Sequence, residues 1–271
     1  MDYSRIIITG ASSGLGEAFA RALATSEREL WLIARRSDRL ETLADELRSQ
    51  HPGIEVQAFP CDLADAAARK RLVDTLTSQA DKPTLLLNNA GSGDYGPLAD
   101  AEPQKIHNML QVNTVAPVEL TRALVPGMLR TGGGVVNIAS LAADVPLPDF
   151  ALYAASKSFV ASFSEGLRLE LRGSGVRVLA VCPGPVHTEF GSVARRPGYS
   201  SGDIPLKPIL YTAIPTVVQG TLKALAAGKA RYYPSAKIWL AGCLLRMLPL
   251  WVLRLILRTR PRRITKQGGE S

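Results

Sequence analysis

The chain has 271 residues, of which 46% are hydrophobic and 21% are charged. It is therefore long enough for one substantial core and too apolar for a mostly disordered protein. The three cysteines and three histidines are dispersed, which disfavours a disulfide framework and predicts no metal site. The first residues lack the basic start and long apolar run of a signal peptide, so we expect a cytoplasmic protein.

The positive charge is concentrated near the C-terminus. The formal net charge is +8, yet residues 1–228 carry 22 Lys and Arg against 23 Asp and Glu, whereas residues 229–271 carry 10 against 1. The basic residues of this last segment alternate with long apolar side chains, which favours an anionic membrane surface over nucleic acid as a partner. We expect no nucleic-acid binding.

Short runs of Ile, Val and Leu alternate with segments of helical period along most of the chain. Strands are predicted at 5–9, 29–34, 54–60, 85–88, 134–138 and 177–182, with a last short strand at 231–233. Helices are predicted at 14–24, 37–50, 64–79, 102–129, 154–173 and 214–228. This alternation predicts one α/β domain, residues 1–234, with a parallel sheet of about seven strands and helices on both faces. Residues 188–213 lack a clear period and form a candidate substrate loop.

A glycine-rich segment follows the first predicted strand directly. Its spacing is G-x-x-x-G-x-G, with Gly10, Gly14 and Gly16 leading into a helix. Glycines here allow a sharp turn and a close approach to a pyrophosphate, which the free amides of the helix N-terminus favour. The alternative is a glycine-rich turn without a ligand.

The end of the second strand indicates which dinucleotide binds. An acidic residue there receives the ribose hydroxyls of NAD, whereas a cation accommodates the 2′-phosphate of NADP. The strand ends in Arg35 and Arg36, whose guanidinium groups suit a phosphate. We therefore expect NADP(H), the alternative being a solvated pair with Asp38 as the partner of one arginine.

A tyrosine and a lysine lie four residues apart at Tyr153 and Lys157, so they share one face of a helix. A phenol exchanges protons poorly at neutral pH until a nearby cation favours its anion. Lys157 is the candidate cation. The spacing alone is also common on solvated helices.

Further motifs accompany this pair, and together they are similar to the short-chain dehydrogenase/reductase family. The resemblance covers residues 4 to about 234 and rests on 9–16, 88–91, Asn113, Ser140, Tyr153, Lys157 and 183–184. It implies a doubly wound Rossmann-type fold, and within the family the sequence most resembles NADP-preferring oxoacyl and long-chain carbonyl reductases.

The resemblance also implies roles for individual residues. Tyr153 corresponds to the general acid or base, Lys157 to the residue that lowers its pKa and holds the nicotinamide ribose, and Ser140 to a donor to the substrate oxygen. Asn113 corresponds to the residue that bends its helix and helps to hold a proton-relay water. The implied cofactor-binding residues are Gly10, Ser12, Ser13, Gly14, Leu15, Gly16, Arg35, Arg36, Asp62, Leu63, Asn89, Ala90, Gly91, Tyr153, Lys157, Pro183, Gly184, Val186 and Thr188.

Residues 235–271 exceed what the predicted sheet requires. The run 238–257 contains only two charges and one proline, and as a single helix it places its arginines on one arc opposite an apolar side. We expect segment 238–263 to attach to an anionic membrane from the cytoplasmic face. The alternatives are a helix over the substrate pocket or in a dimer interface. The segment beyond Thr259 is expected to be unstructured.

These features predict an NADPH-dependent reductase of lipophilic ketones or aldehydes, such as long-chain or 3-oxoacyl compounds, that acts reversibly and forms a homo-oligomer. A second hypothesis is an NADP-sensing protein with low turnover that acts through its basic tail. His187 is expected to be a loop residue without a catalytic role. Arg195 and Arg196 are expected to be solvated, with an acidic carrier or phosphate as the alternative partner.

Overall fold

A seven-stranded sheet forms the centre of the fold in the computed structural model, which describes residues 3–79, 81–196 and 211–258. The strands are β1 (Arg5–Thr9), β2 (Glu29–Ala34), β3 (Glu55–Pro60), β4 (Thr84–Asn88), β5 (Gly133–Ile138), β6 (Arg177–Val181) and β7 (Arg231–Tyr232). Their order in the sheet is β3-β2-β1-β4-β5-β6-β7, and every neighbouring pair is parallel. The predicted α/β class and the count of about seven strands are confirmed.

The inner strands are buried on both faces, which explains why their sequences are nearly continuous apolar runs. All residues of β1, β2, β4 and β5 are buried. Alternate residues serve opposite cores, since Ile6 and Ile8 belong to one hydrophobic cluster and Ile7 belongs to the other. The strand signal is therefore strong where both faces of the sheet are covered.

Helices cover both faces of the sheet. They are α1 (Gly14–Leu23), α2 (Ser37–Gln50), α3 (Ala66–Ser78), α4 (Pro103–Leu110), α5 (Ala116–Thr131), α6 (Ala151–Glu170), α7 (Phe190–Ala194), α8 (Ile214–Ala226), α9 (Ala236–Met247) and α10 (Leu250–Arg258). Apolar residues of α1, α2 and α8 pack in one cluster, and those of α3 and α5 pack in the other. The sheet order reverses between β1 and β4, so the carboxyl ends of these strands open a crevice where open α/β sheets bind their ligands.

Two helices differ from the sequence prediction in a way that concerns the site. The single helix predicted at 102–129 is divided by a π-helical turn, Gln111–Val115, which joins α4 to α5. Helix α6 begins at Ala151, three residues before its predicted start, so Tyr153 lies in its first turn. Of the other predicted elements, 5–9, 29–34 and 37–50 match the observed bounds, and the rest differ by one or two residues at an end.

The C-terminal segment forms two helices rather than the single one predicted. Helix α9 ends at Met247 and α10 begins at Leu250, because Pro249 cannot continue a helix. Ile238 of α9 is buried against a cluster that includes Leu141 and Cys182, so α9 packs on the catalytic domain. No helix among the described residues is long and apolar enough to cross a membrane. The prediction that the chain is unstructured beyond Thr259 concerns residues outside the described ones.

Candidate active site

The site begins at the glycine-rich turn between β1 and α1. Gly10 and Gly14 have φ angles of +67° and +59°, in the left-handed region that favours glycine. A Cβ atom on Gly16 would clash with the carbonyl oxygen of Gly10, so the turn closes only with glycine at that position. The turn contains six of the predicted cofactor-binding residues, Gly10, Ser12, Ser13, Gly14, Leu15 and Gly16. Its close backbone packing at a helix N-terminus fits a pyrophosphate.

The turn after β4 lies directly beside the glycine-rich turn. The hydroxyl of Thr9 accepts hydrogen bonds from the backbone amides of Asn89 and Ala90, both at 3.0 Å. The side-chain amide of Asn89 donates to the carbonyl oxygen of Thr9 at 2.9 Å. A Cβ atom on Gly91 would lie 3.2 Å from the Nζ atom of Lys157. Residues 89–91 therefore connect the predicted cofactor turn to the predicted catalytic helix.

The remaining predicted cofactor contacts follow β3 and β6. Asp62 is exposed, and its carboxylate accepts a hydrogen bond from the Ala64 amide at 2.9 Å, whereas Leu63 is buried. After β6 the chain passes through Pro183, Gly184, Val186 and Thr188. This segment reaches the glycine-rich turn, because a Cβ atom on Gly14 would lie 3.0 Å from the methyl group of Thr188.

Of the two predicted phosphate-binding arginines, Arg36 contacts the glycine-rich turn. Arg36 donates to the Ser13 hydroxyl at 2.8 Å, while Arg35 is exposed. The carboxylate that pairs with Arg36 is Glu189, at 2.9 Å, whereas the sequence suggested Asp38. Arg39, which the sequence analysis missed, pairs with the same carboxylate at 2.8 Å. Its position three residues after Arg36 on α2 was the available signal.

Tyr153 and Lys157 lie on one face of α6, as their spacing predicted. The Nζ atom of Lys157 is 5.8 Å from the centre of the Tyr153 ring, and it donates to the carbonyl oxygen of Ile138 at 2.8 Å. Tyr153 and Lys157 are 8% and 4% exposed. The amine is therefore held at the end of β5 in a site largely closed to water.

Ser140 and Asn113 complete this group. Ser140 begins the 3-10 turn after β5, where its hydroxyl accepts from the Ala142 amide at 3.1 Å. Asn113 lies in the π-helical turn, and its side chain donates to the Ser92 carbonyl at 2.9 Å and to the Ser156 hydroxyl at 3.0 Å. Ser156 in turn donates to the carbonyl oxygen of Tyr153 at 2.7 Å. The π-helical turn thus holds the start of α6.

Burial controls the proton affinities of this group. Desolvation raises the pKa of Tyr153 to about 12, and a hydrogen bond with Ser140 opposes the rise. Desolvation also lowers the pKa of Lys157 to about 8. Burial of the phenol is the main cause of the raised pKa of Tyr153 in this structure, and the lowering by Lys157 that the resemblance implies stays a prediction.

Two aromatic rings contact Tyr153 and a third packs on one of them, and the sequence analysis did not single them out. Phe150 stacks on the Tyr153 ring with centroids 4.2 Å apart, and Phe190 of α7 lies 5.4 Å from it. Tyr95 meets the edge of Phe150 at 5.8 Å. These contacts make the surroundings of the phenol apolar.

The segment that carries Phe190 is also held by a buried ion pair. Arg196 donates to the carboxylate of Asp94 at 2.9 Å, and Lys105 pairs with the same carboxylate at 3.0 Å. The Asp94 side chain is 3% exposed, and the pair lowers its pKa, with Arg196 as the main cause. The expectation that Arg196 is solvated is wrong. His187, expected in a loop, stacks on Tyr211 at 4.2 Å.

The family model of short chain dehydrogenases matches residues 4–197. The chain therefore belongs to the short-chain dehydrogenase/reductase family, and the predicted family is confirmed.

Three similar proteins illustrate the relationship. A short chain dehydrogenase of Pseudocercospora fijiensis is 37% identical over 69% of this chain, and the match covers 60% of that relative's length. Sulfoacetaldehyde reductase 2 of Chromohalobacter salexigens is 38% identical over 68% of this chain and 73% of its own length. A solved structure of a short-chain dehydrogenase from Sphingobium yanoikuyae in complex with NADPH is 30% identical, covers 98% of both chains and has a TM-score of 0.77.

Proposed function

We propose that this protein is an NADPH-dependent oxidoreductase that reduces a ketone or an aldehyde and catalyses the reverse oxidation of a secondary alcohol. The observation that supports this most strongly is the convergence of Ser140, Tyr153 and Lys157 at one end of the sheet, with Asn113 bonded to the same helix. The glycine-rich turn lies beside this group through residues 89–91. The crevice at the carboxyl ends of β1 and β4, which we call the groove, is thus contiguous with the proton-transfer groups.

The residues present fit a nicotinamide dinucleotide phosphate. The glycine-rich turn admits no Cβ at Gly16, and Arg36 with Arg39 supplies two cations at the end of β2 for a 2′-phosphate. When bound, NADPH supplies the hydride. The structure of the Sphingobium relative with NADPH supports the choice of cofactor.

The chain's own residues would supply the proton. The pKa of Tyr153 at about 12 keeps the phenol protonated at neutral pH, the form that a general acid needs for carbonyl reduction. Ser140 would donate a hydrogen bond to the carbonyl oxygen as negative charge develops there. Lys157 would hold the nicotinamide ribose and restore the proton, and Asn113 would hold the water of that relay.

Turnover and binding measurements with Tyr153→Phe test this assignment. The variant keeps the aromatic ring and loses only the hydroxyl, so we expect NADPH to bind with unchanged affinity while reduction of a generic dicarbonyl falls by at least about 100-fold. Ser158→Ala, on the same helix, serves as a matched loss of a hydroxyl that bonds only to backbone carbonyls. Unchanged turnover in Tyr153→Phe would contradict the proposal. Absence of turnover in the unmodified protein would favour the sensor hypothesis.

For the substrate we propose a lipophilic carbonyl compound, such as a long-chain or 3-oxoacyl compound. The support is the apolar surface that Phe150 and Phe190 form against the Tyr153 ring, with Tyr95 packed on Phe150. A series of 2-ketones of increasing chain length should show kcat/KM rising by about 3-fold or more per added CH2 buried. A preference for a short sulfonated aldehyde, the substrate class named for the Chromohalobacter relative, would refute this class.

We further propose that α9 and α10 rest on an anionic membrane at its cytoplasmic face. The support is a set of exposed apolar side chains next to basic ones. The exposed apolar residues are Trp239, Leu240, Leu244, Met247, Trp251 and Leu255, and the exposed basic ones are Lys237, Arg246 and Arg254. Such a surface suits the headgroup layer.

Sedimentation with vesicles tests the attachment. Trp239→Ser with Trp251→Ser should abolish binding to phosphatidylserine vesicles, whereas Leu98→Ser, at an exposed apolar residue outside these helices, should not. Binding that persists in the double variant would contradict the membrane surface. Loss of a dimer in the same variant would favour the interface alternative.

We also propose a homo-oligomer, a dimer or a tetramer, formed through α5 and α6. Leu129, Phe159 and Leu169 expose large apolar side chains on these helices, which contact with a second copy of the chain would bury. Light scattering of the unmodified protein should give at least twice the chain mass, and Phe159→Ser should lower the measured mass. A monomeric unmodified protein would refute the proposed oligomer.

A further inference from the structure

Three charged side chains form a cluster at the start of α2, beside the glycine-rich turn. We call it the Glu189 clamp, made of Arg36, Arg39 and Glu189. One carboxylate oxygen of Glu189 lies 2.9 Å from Arg36, and the other lies 2.8 Å from Arg39. These contacts join α2 to the segment after β6, across 150 or more positions of the sequence. A single carboxylate therefore engages both cations.

The clamp has the composition of an anion site. The guanidinium of Arg36 also donates to the hydroxyl of Ser13 at 2.8 Å and to that of Ser12 at 3.3 Å. Arginine forks and hydroxyls of this kind bind a phosphate as readily as a carboxylate. The anion seated there in this structure is the side chain of Glu189. Hydrogen bonds from Arg39 and then from Arg36 lower the pKa of Glu189, so it stays ionised at neutral pH.

The backbone around Glu189 is held beside the groove by contacts on both sides. Its neighbour Thr188 lies against Gly14, and its other neighbour Phe190 packs on Tyr153. Beyond these, Arg196 is held by Asp94. The backbone that carries Glu189 is thus attached on both sides, which keeps the carboxylate within reach of the arginines.

We propose that Glu189 is a specificity-determining residue that competes with the 2′-phosphate of NADP(H) for Arg36 and Arg39. The inference rests on the proposed function, in which these arginines receive that phosphate. Glu189 weakens the binding of 2′-phosphorylated cofactors and leaves NAD(H), which has no 2′-phosphate, unaffected. Its effect is therefore a reduction of the preference for NADP(H) over NAD(H).

The size of the effect follows from the exposure of the clamp. The three side chains are between 39% and 49% exposed, so each ion pair contributes little and is screened by salt. Replacing the carboxylate by an amide of the same shape should lower the Kd for NADPH by about 2-fold to about 10-fold. The gain should disappear at about 0.5 M salt.

Equilibrium binding of NADPH and NADH to Glu189→Gln is the test. We expect tighter NADPH binding and an NADH affinity within about 2-fold of the unmodified protein. Glu46→Gln is the matched control, because Glu46 is a similarly exposed carboxylate of α2 that pairs with Arg21. The control variant should change the ratio of NADPH to NADH affinity by less than Glu189→Gln does.

A second readout does not depend on a nicotinamide. Adenosine 2′,5′-bisphosphate carries the 2′-phosphate, whereas adenosine 5′-monophosphate lacks it. In thermal unfolding, the bisphosphate should stabilise Glu189→Gln more than the unmodified protein, and the monophosphate should stabilise both equally.

Two results would overturn the proposal. An unchanged NADPH affinity in Glu189→Gln would show that the carboxylate does not compete with the 2′-phosphate. Equally tighter binding of NADPH and NADH would show that the substitution merely loosens the segment over the groove. Failure of the proposed function is recognised separately. If Arg36→Ala with Arg39→Ala leaves the ratio of NADPH to NADH affinity unchanged, the phosphate site itself is wrong.

Discussion

Replacing Lys157 by methionine should make the protein more stable at neutral pH while it abolishes carbonyl reduction. Lys157 is 4% exposed, and burial lowers its pKa from 10.5 to about 8. The folded chain therefore holds the charged amine less favourably than water does. Methionine has a similar length and carries no charge, so it removes this penalty.

The magnitude follows from the pKa. A fall from 10.5 to about 8 corresponds to about 3 kcal/mol of destabilisation when the amine is charged in both the folded and the unfolded state. The variant also leaves the Ile138 carbonyl without the amine that donates to it at 2.8 Å, which costs about 1–2 kcal/mol. The free energy of unfolding should therefore rise by about 1–2 kcal/mol at pH 7.

The pH dependence gives the sharper test. Between pH 8 and pH 10.5 the unfolded chain keeps a proton on this amine that the folded chain has lost, so the unmodified protein gains stability from Lys157 as the pH rises. The variant lacks this gain. Its advantage should fall by about 2–3 kcal/mol between pH 7 and pH 10, which exceeds the advantage at pH 7, so the sign should reverse before pH 10.

Urea denaturation of the two proteins at pH 7 and pH 10 measures this difference, and other titrating groups cancel because they are shared. Lys70→Met is the control, because Lys70 is 76% exposed and its removal should show no such pH dependence. A stability difference between Lys157→Met and the unmodified protein that stays constant from pH 7 to pH 10 would refute the reasoning.

Two further substitutions test the packing that supports the site. Gly16→Ala should lower the free energy of unfolding by about 2–4 kcal/mol, since the Cβ of the alanine would clash with the Gly10 carbonyl. The same variant should abolish NADPH binding in a fluorescence titration. Gly166→Ala, in open space on α6, should instead be neutral or stabilising by up to about 1 kcal/mol, and equal losses in both would contradict the steric argument. Arg69→Met should lower the free energy of unfolding by about 2–4 kcal/mol in urea denaturation, because the buried guanidinium pairs with Glu119 at 2.8 Å. This loss of stability should not add to that of Glu119→Gln. Strict additivity of the two losses would refute the coupling between Arg69 and Glu119.

The sequence by itself determined the sheet, the glycine-rich turn and the Tyr153–Lys157 pair. These depend on local pattern: apolar runs for strands buried on both faces, glycines where no Cβ fits, and a spacing of four that places two side chains on one helical face. The family assignment rested on the same short motifs and is confirmed.

Only the tertiary structure decided which groups meet across the chain and how deeply they are buried. Glu189 reaches Arg36 and Arg39 from 150 or more positions away, and Arg196 reaches Asp94 across 102 positions. Burial of Tyr153 raises its pKa, which a spacing of four residues could not indicate. Such contacts depend on how helices and loops of separate βαβ units pack on the sheet, and this packing leaves no periodic mark in the local sequence.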